Sequence, residues 1–233
     1  MNKEQRLTWH VVGDAALLQA RAARAIERLA AETIRAKGSF SIVLAGGSTP
    51  KEIYGRLCSI DTDWSAWSIF LGDERCLPHG HPDRNSTMAQ QTWLSHVPLA
   101  ADQVHLIPAE QGAEEAASRY SKTLAGVGSF DLVLLGLGQD GHTASLFPGQ
   151  AWGEGGGMAA LAVHDAPKPP SDRVSLSAWR LSMARNVWFM VSGADKADAV
   201  HSWRSGECLP AAAIKPENGV EIFVEKIAIK NHF

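Results

Sequence analysis

Asp140 and His142, a carboxylate and an imidazole two residues apart, follow an apolar run and a glycine-rich turn. The run Leu132–Leu135 is long enough for a strand buried on both faces, and Gly136 and Gly138 let the backbone turn beside a ligand. Ligands of open parallel sheets bind just beyond the carboxyl ends of strands. An isolated loop histidine usually has no catalytic role, but that interpretation leaves the glycines and the adjacent aspartate unexplained. We therefore predict chemistry at this segment.

A second glycine turn, Gly46-Gly47-Ser48-Thr49, links a predicted strand to a predicted helix. Unpaired backbone N–H groups and the positive end of the helix dipole favour a phosphate at such a turn. Thr49 also opens a capping-box pattern with Pro50 at the first helical position, so capping alone is the alternative interpretation. The turn matches neither a P-loop nor a dinucleotide fingerprint, and therefore no nucleotide is implied.

Three basic residues could hold an anionic ligand. Arg75 ends the segment Asp73-Glu74-Arg75, which follows a predicted strand and so lies at the same sheet edge, and its planar fork suits a phosphate or carboxylate. Arg173 begins a predicted strand after a proline-rich connection. Lys196 lies in the first turn of a predicted helix, where a cation opposes the dipole unless it shares an anion. Each could equally be a solvated surface charge; together with the Ser48 turn they could surround one phosphate.

The histidines and cysteines form no metal-binding pattern. His79 and His81 are two residues apart in a loop, and His142 has no helical partner four residues away. No G-x-S-x-G motif of a serine hydrolase is present. We therefore predict that the protein needs neither a metal nor an organic cofactor.

Composition limits the classes of partner. Of the 233 residues, 45% are hydrophobic and 20% charged, as in ordinary globular proteins. The net charge of -3 offers no field for nucleic acid or an anionic membrane, and no apolar run approaches the length of a membrane span. Three isolated cysteines and a polar start without an apolar targeting segment indicate the reducing cytoplasm. We predict a small-molecule partner, with the oligomeric state left open.

Alternating helix and strand patterns predict an α/β fold with a mainly parallel sheet covered on both faces. Neighbouring strand candidates near residues 160 and 175 add a small antiparallel excursion. Residues 149–158 are glycine-rich, and this composition predicts a mobile loop. No linker or repeat divides the chain, so residues 1–233 are interpreted as one domain. The predicted helices span 15–37, 49–58, 86–93, 113–124 and 195–203, and the predicted strands 40–44, 67–71, 104–107, 132–135, 160–163, 173–176, 187–191 and 220–224.

These motifs together resemble the family of 6-phosphogluconolactonases and glucosamine-6-phosphate deaminases over nearly the whole chain. The resemblance implies a Rossmann-like three-layer α/β/α fold and hydrolysis of 6-phospho-D-glucono-1,5-lactone to 6-phosphogluconate in the pentose phosphate pathway. It adds Asn85 to the candidate substrate-binding residues Gly46, Gly47, Ser48, Thr49, Asp73, Arg75, Arg173 and Lys196. The matching segments are Gly46–Pro50, Gly72–Arg75 with Pro78 and Asn85, Gly136–Pro148, Ala166–Arg173 and Ser192–Lys196.

Within that resemblance, one position favours the lactonases. The deaminases have a catalytic glutamate five residues past the histidine, where this chain has Phe147. A sugar-phosphate isomerase or deaminase is therefore the less favoured alternative, and a non-catalytic sugar-phosphate sensor is disfavoured because Asp140 and His142 are both present. The segment Arg84-Asn85-Ser86 departs from the Ser-Asn-Tyr that lactonases often have. In a lactonase, His142 would take a proton from water, Asp140 would orient it, and Arg75 or backbone N–H groups would stabilise the carbonyl oxygen.

Overall fold

The computed structural model describes residues 5–229, in which strands and helices alternate along most of the chain. The strands are β1 Leu7–Val12, β2 Phe40–Leu44, β3 Trp67–Leu71, β4 Asp73–Arg75, β5 Val104–His105, β6 Phe130–Gly136, β7 Ala160–Val163, β8 Arg173–Leu176, β9 Ala184–Val191 and β10 Val220–Glu225. The α-helices are α1 Ala15–Lys37, α2 Ser48–Leu57, α3 Asn85–Thr92, α4 Ala113–Leu124, α5 Ala178–Ser182 and α6 Ala197–Arg204.

Seven parallel strands form the main sheet in the order β1-β10-β9-β6-β2-β3-β5. From β2 the chain proceeds outward to β3 and β5, and from β6 it proceeds the other way to β9 and β10. The direction of winding therefore reverses between β2 and β6, and a crevice opens at the carboxyl ends of strands at such a switch point.

Helices cover both faces of this sheet. Trp9 and Phe189 point to one face, where their rings lie 5.6 Å and 4.7 Å from the ring of Trp203 on α6. His10 and Trp188, their neighbours along β1 and β9, point to the other face and line a cleft beside α1. Successive strand residues alternate between faces, so α1 and α6 lie on opposite sides. The predicted three-layer α/β/α fold is confirmed.

A second, three-stranded antiparallel sheet has the order β4-β8-β7. The antiparallel excursion near residues 160 and 175 is therefore confirmed. Its third member, β4, was not predicted, because Asp73, Glu74 and Arg75 carry no apolar pattern. Pairing of β4 with β8 sets Arg75 directly opposite Arg173.

Two predicted helix caps are wrong. Helix α2 begins at Ser48 with Gly47 as its N-cap, at φ +106°, and no side chain caps it, so Thr49 lies inside the helix. Helix α3 begins at Asn85 rather than after Ser86. The carboxylate of Glu74 accepts the amide N–H groups of Asn85 and Ser86 at 2.8 Å and 2.9 Å and thus serves as a cap from a distant strand.

Helix α1 confirms its predicted bounds, with Asp14 capping its first turn and Gly38 ending it in the left-handed conformation. Strand β1 and helix α5 were not predicted. Residues 149–158 contain neither helix nor strand, and their mobility stays a prediction, as does the single domain. No helix within residues 5–229 is long and apolar enough to cross a membrane.

Candidate active site

A cavity of about 440 Å³ lies at the carboxyl ends of the central strands. Gly46 and Gly47 enter it from the end of β2, Asp73 from the end of β3, and the loop after β6 brings His142. Lys196, which follows β9, completes this edge. The cavity thus lies on both sides of the switch point between β2 and β6, where the sequence placed its chemistry.

His142 and Asp140 form a directly hydrogen-bonded pair. Nδ1 of His142 lies 2.5 Å from Oδ1 of Asp140, and the same oxygen accepts the His142 amide N–H at 3.1 Å. Partial burial would raise the pKa of Asp140, but the amide hydrogen bond and the adjacent imidazole outweigh burial and hold that pKa below its usual range. Asp140 is therefore a carboxylate that orients the ring from behind, while His142 itself lines the cavity.

The imidazole packs against Gly138 on one side. A Cβ atom at Gly138 would lie 2.0 Å from Nδ1 of His142, closer than any real contact allows. The ring centroid of Phe147 lies 4.9 Å from the imidazole centroid. The glycine is thus required by close approach, and the ring is held between two neighbours and one carboxylate.

We expect Gly138→Ala to displace His142 and to lower the activity of the site at least tenfold, because the new methyl group occupies the position of Nδ1. Since the change lies at the surface of a cavity, the folded state should persist. Activity and the thermal midpoint should be measured beside Gly126→Ala, where nothing lies within 4 Å of the added atom. Unchanged activity in Gly138→Ala would show that the imidazole position is unimportant.

The predicted cations meet at this cavity. Arg75, Arg173 and Lys196 all line it, and the register of β4 and β8 places the two arginines opposite each other. Burial lowers the pKa of Arg173, as does the positive charge of Arg75, while Asp73 opposes the change. Two like charges held side by side repel each other; Asp73 offsets part of that repulsion, and an anionic ligand would offset more.

Lys196 is tied to the loop that carries the imidazole. Its ammonium lies 3.1 Å from Oδ2 of Asp195, and the same oxygen accepts a hydrogen bond of 2.8 Å from Gln139. These hydrogen bonds hold the pKa of Asp195 below its usual range. The turn between β9 and α6 and the loop after β6 are therefore linked at the rim of the cavity.

Asp73 and Asn85 form a buried polar wall. The carboxylate of Asp73 accepts hydrogen bonds from Ser145 Oγ at 2.6 Å and from Asn85 Nδ2 at 2.9 Å. Burial raises the pKa of Asp73, with the Ser145 hydrogen bond opposing that effect. The amide of Asn85 packs so closely on Gly46 that a Cβ there would lie 2.0 Å from Oδ1. Both predicted residues line the cavity.

Three predicted residues take other positions, and one cavity cation was missed. Ser48 is exposed in the first turn of α2, Thr49 is half-buried behind it, and Asp140 lies behind His142 rather than on the cavity wall. Lys168, within the proline-rich connection between β7 and β8, lines the cavity. Its only signal in the sequence was membership of the Ala166–Arg173 segment.

The unusual Arg84 is structural. Its side chain is buried, with Nη1 2.8 Å from Glu110 Oε2 and Nε 3.3 Å from Glu74 Oε2. The second contact is an ion pair that is not aligned for a hydrogen bond. Asn85, the next residue, still reaches the cavity, so the departure at Arg84 leaves the predicted contact in place.

Comparison with known proteins agrees with this architecture. Residues 13–223 match the family model described as glucosamine-6-phosphate isomerases/6-phosphogluconolactonase. The chain belongs to this family. A family member from Streptomyces coelicolor named 6-phosphogluconolactonase is 38% identical over 208 residues, which cover 82% of this chain and 79% of that protein. Another 6-phosphogluconolactonase, from Mycobacterium leprae, is 35% identical over 77% of each chain.

Solved structures of the family share the fold. The 6-phosphogluconolactonase of Trypanosoma brucei has a TM-score of 0.85 and 29% identity, covering 96% of this chain and 98% of its own. A monomeric glucosamine-6-phosphate deaminase has a TM-score of 0.82 at 19% identity, which shows likeness of fold alone.

Phe147 lies at the position that bears on the choice between the two activities. Phe147, where the deaminases are expected to have glutamate, is buried, lines the cavity and packs on His142. A phenyl ring cannot exchange a proton with a substrate. Phe147 therefore does not provide the acid–base group that an amino-sugar reaction would need. The hydrogen-bonded pair of His142 and Asp140 is still present.

Proposed function

We propose that this protein hydrolyses 6-phospho-D-glucono-1,5-lactone to 6-phosphogluconate, a reaction of the pentose phosphate pathway, with water activated by His142. The observation that carries the proposal is the His142–Asp140 pair at a cavity lined by Arg75, Lys168 and Lys196. A base beside several cations suits a substrate that needs hydrolysis at one end and phosphate binding at the other.

The hydrogen bond between Asp140 and Nδ1 of His142 supports Nε2 as the basic nitrogen. Because Asp140 is ionised and accepts from Nδ1 of His142, the lone pair of the neutral imidazole is on Nε2. A water molecule bound at Nε2 gives up its proton as its oxygen attacks the lactone carbonyl. Positive charge then develops on the imidazole, where the Asp140 carboxylate stabilises it.

Collapse of the tetrahedral intermediate breaks the bond between the carbonyl carbon and the ring oxygen. The imidazolium returns its proton to that oxygen, which leaves as a hydroxyl group, and the new acid then ionises in water. The N–H groups at the start of α2, next to Gly47, stabilise the negative charge on the carbonyl oxygen. No atom or electron beyond lactone and water is needed.

The cations of the cavity would hold the phosphate. Lys168, Lys196 and Arg75 lie on one cavity, and a charge-assisted hydrogen bond to a phosphate is stronger than a neutral one. Holding the phosphate fixes the lactone relative to the water, which is an entropic contribution to the rate. The substrate is then oriented without any group that must change its protonation state.

The test is to form the lactone in place with glucose-6-phosphate dehydrogenase and to follow its decay with and without this protein. We expect the lactone to decay faster with the protein than without it. We expect no deamination of glucosamine 6-phosphate, because Phe147 cannot transfer a proton. Deamination without lactone hydrolysis would favour the isomerase or deaminase alternative. Tight phosphate-sugar binding with neither reaction would favour a sensor.

We expect Arg75→Ala and Lys196→Ala to raise KM with little change in kcat, because each loses binding that is equal in ground state and transition state. One charge-assisted contact of about 1.5–3 kcal/mol corresponds to about ten- to hundredfold in affinity. Arg119→Ala, on the exposed face of α4, is the matched control. A fall in kcat alone would place these side chains at the reacting carbonyl instead.

The predicted independence from metal remains to be tested. Among residues 5–229 there is no cluster of three or more His, Cys, Asp or Glu side chains that could hold a metal ion. Protein dialysed against EDTA should therefore keep its full rate. Loss of activity that one divalent ion restores would replace His142-activated water by metal-activated water.

We also place the protein in the cytoplasm. Cys58, Cys76 and Cys208 are all free thiols, which suits a reducing compartment. The proposed substrate is a small sugar phosphate, and the proposal requires no nucleic acid or membrane partner.

A further inference from the structure

The connection between β7 and β8, residues 164–172, forms a strap over the cavity. Lys168 and Pro169 at its tip line the cavity wall. The strap closes on itself through a hydrogen bond of 3.0 Å from the Ala166 amide to the Ser171 carbonyl. Its far end is joined to the segment after β4, where the Cys76 amide donates to the Asp172 carbonyl at 3.0 Å. The tip is therefore carried by a defined loop.

The guanidinium of Arg173 donates hydrogen bonds to this strap. Nε donates to the Pro170 carbonyl at 3.2 Å, and Nη2 donates to the Lys168 carbonyl at 2.9 Å. The guanidinium carbon also lies 5.6 Å from the ring centroid of Phe147. Arg173 is buried as a residue, and these two hydrogen bonds are partly buried. Two of its three nitrogens are thus directed at backbone carbonyls of the strap.

We propose that Arg173 is a positioning residue, which holds the strap over the cavity and thereby places the Lys168 ammonium against the substrate phosphate. This inference rests on the proposed function and reassigns Arg173, which the sequence grouped with the direct phosphate ligands. The phosphate is then bound by the strap lysine together with the cations of the sheet edge. Arg173 contributes through the lysine it positions.

A second anchor holds the strap from outside. His164 lies between two carboxylates, with Nδ1 2.9 Å from Asp172 Oδ1 and Nε2 3.1 Å from Glu114 Oε1 on α4. An imidazole can donate from both nitrogens only when it is protonated. The hydrogen bonds that Asp172 and Glu114 accept raise the pKa of His164 accordingly. This group of His164, Asp172 and Glu114, which we call the clamp, joins both ends of the strap to α4.

The clamp gives a pH dependence of known sign. The charged groups around His164 are Asp172 on the strap and Glu114 on α4, and Gln150 donates to its carbonyl at 3.0 Å; the Cys76 thiol lies near Asp172. Because the folded pKa of His164 is raised, the clamp is complete at lower pH and is lost as pH rises through that value. KM should therefore rise modestly on the alkaline side, and His164→Gln should abolish that rise.

The decisive experiment is a double-mutant cycle on KM with Arg173→Gln and Lys168→Ala. Each single change should raise KM about tenfold, as expected for one charge-assisted contact. If Arg173 acts through Lys168, the double variant should be no worse than Lys168→Ala, because coupled positions are not additive. Multiplication to about a hundredfold would show direct contact of Arg173 with the phosphate and overturn the proposal.

Two further variants keep the result interpretable. Arg173→Lys retains the charge but loses the paired donors, so it should behave like Arg173→Gln; near-normal KM in Arg173→Lys would contradict positioning. If Arg173→Gln unfolds, His164→Gln loosens the exposed end of the strap instead. Its smaller rise in KM should disappear in the Lys168→Ala background, and persistence of that rise would refute the strap.

Arg24→Gln, on the exposed face of α1, controls for loss of one positive charge, and thermal midpoints control for folding. The wild-type rate above spontaneous decay tests the proposed function separately. Absence of that rate means that the function is wrong, whereas an active wild type with independent single and double effects means that only the strap inference is wrong.

Discussion

Replacement of His142 by alanine should lower kcat by about 10²–10⁴-fold, the usual contribution of a general base, while the fold and phosphate affinity persist. The imidazole is one-quarter exposed at the cavity wall, so its removal leaves no buried charge behind. The rate should be measured on lactone formed in place, with binding of 6-phosphogluconate as the check on affinity. A rate within a few-fold of wild type would remove His142 from the mechanism.

Asp140→Asn is the matched variant for the same mechanism. It keeps the size of the side chain that contacts Nδ1 but replaces the carboxylate that fixes the tautomer. We expect a smaller loss than for His142→Ala, and no further loss when the two changes are combined, because residues that act as a unit are not additive. Independent losses would mean that Asp140 acts on the substrate directly.

Replacement of Glu74 by alanine should destabilise the fold by about 3–5 kcal/mol, the usual effect of breaking a buried ion pair. Glu74 is fully buried, lies 3.3 Å from Arg84 Nε, and accepts the amides of Arg75, Asn85 and Ser86. Its removal leaves a buried guanidinium with one carboxylate partner fewer and the start of α3 uncapped. Urea unfolding gives the difference in free energy.

Glu115→Ala, on the exposed side of α4, is the control for the Glu74 change and should alter the free energy of unfolding by less than about 0.5 kcal/mol. If Glu74→Ala unfolds at nearly the wild-type urea midpoint, the buried carboxylate is dispensable. In that case the cap of α3 and the position of Asn85 must depend on other contacts.

Local sequence patterns were sufficient to predict most of the central sheet and the edge at which its site lies. The apolar runs of β2, β3 and β6 each end in glycine-containing turns, and that pattern depends only on residues adjacent in the chain. Parallel strands share one carboxyl edge, so Gly46, Asp73 and His142 were predicted at a common place and all line the cavity. The 23 residues of α1 were predicted from the same local rules.

Partners distant in the chain were decided only by the tertiary structure. Asp73 bonds to Ser145 across 72 residues, and Arg75 meets Arg173 only because β4 pairs with β8. The cap of α3 comes from Glu74 on another element, which no capping pattern near Ser86 could indicate. The use of a side chain depends on which groups the fold brings within hydrogen-bond distance. For that reason the sequence determined the chemical types at the site, whereas tertiary packing directed Arg173 toward the strap and brought Lys168 to the cavity.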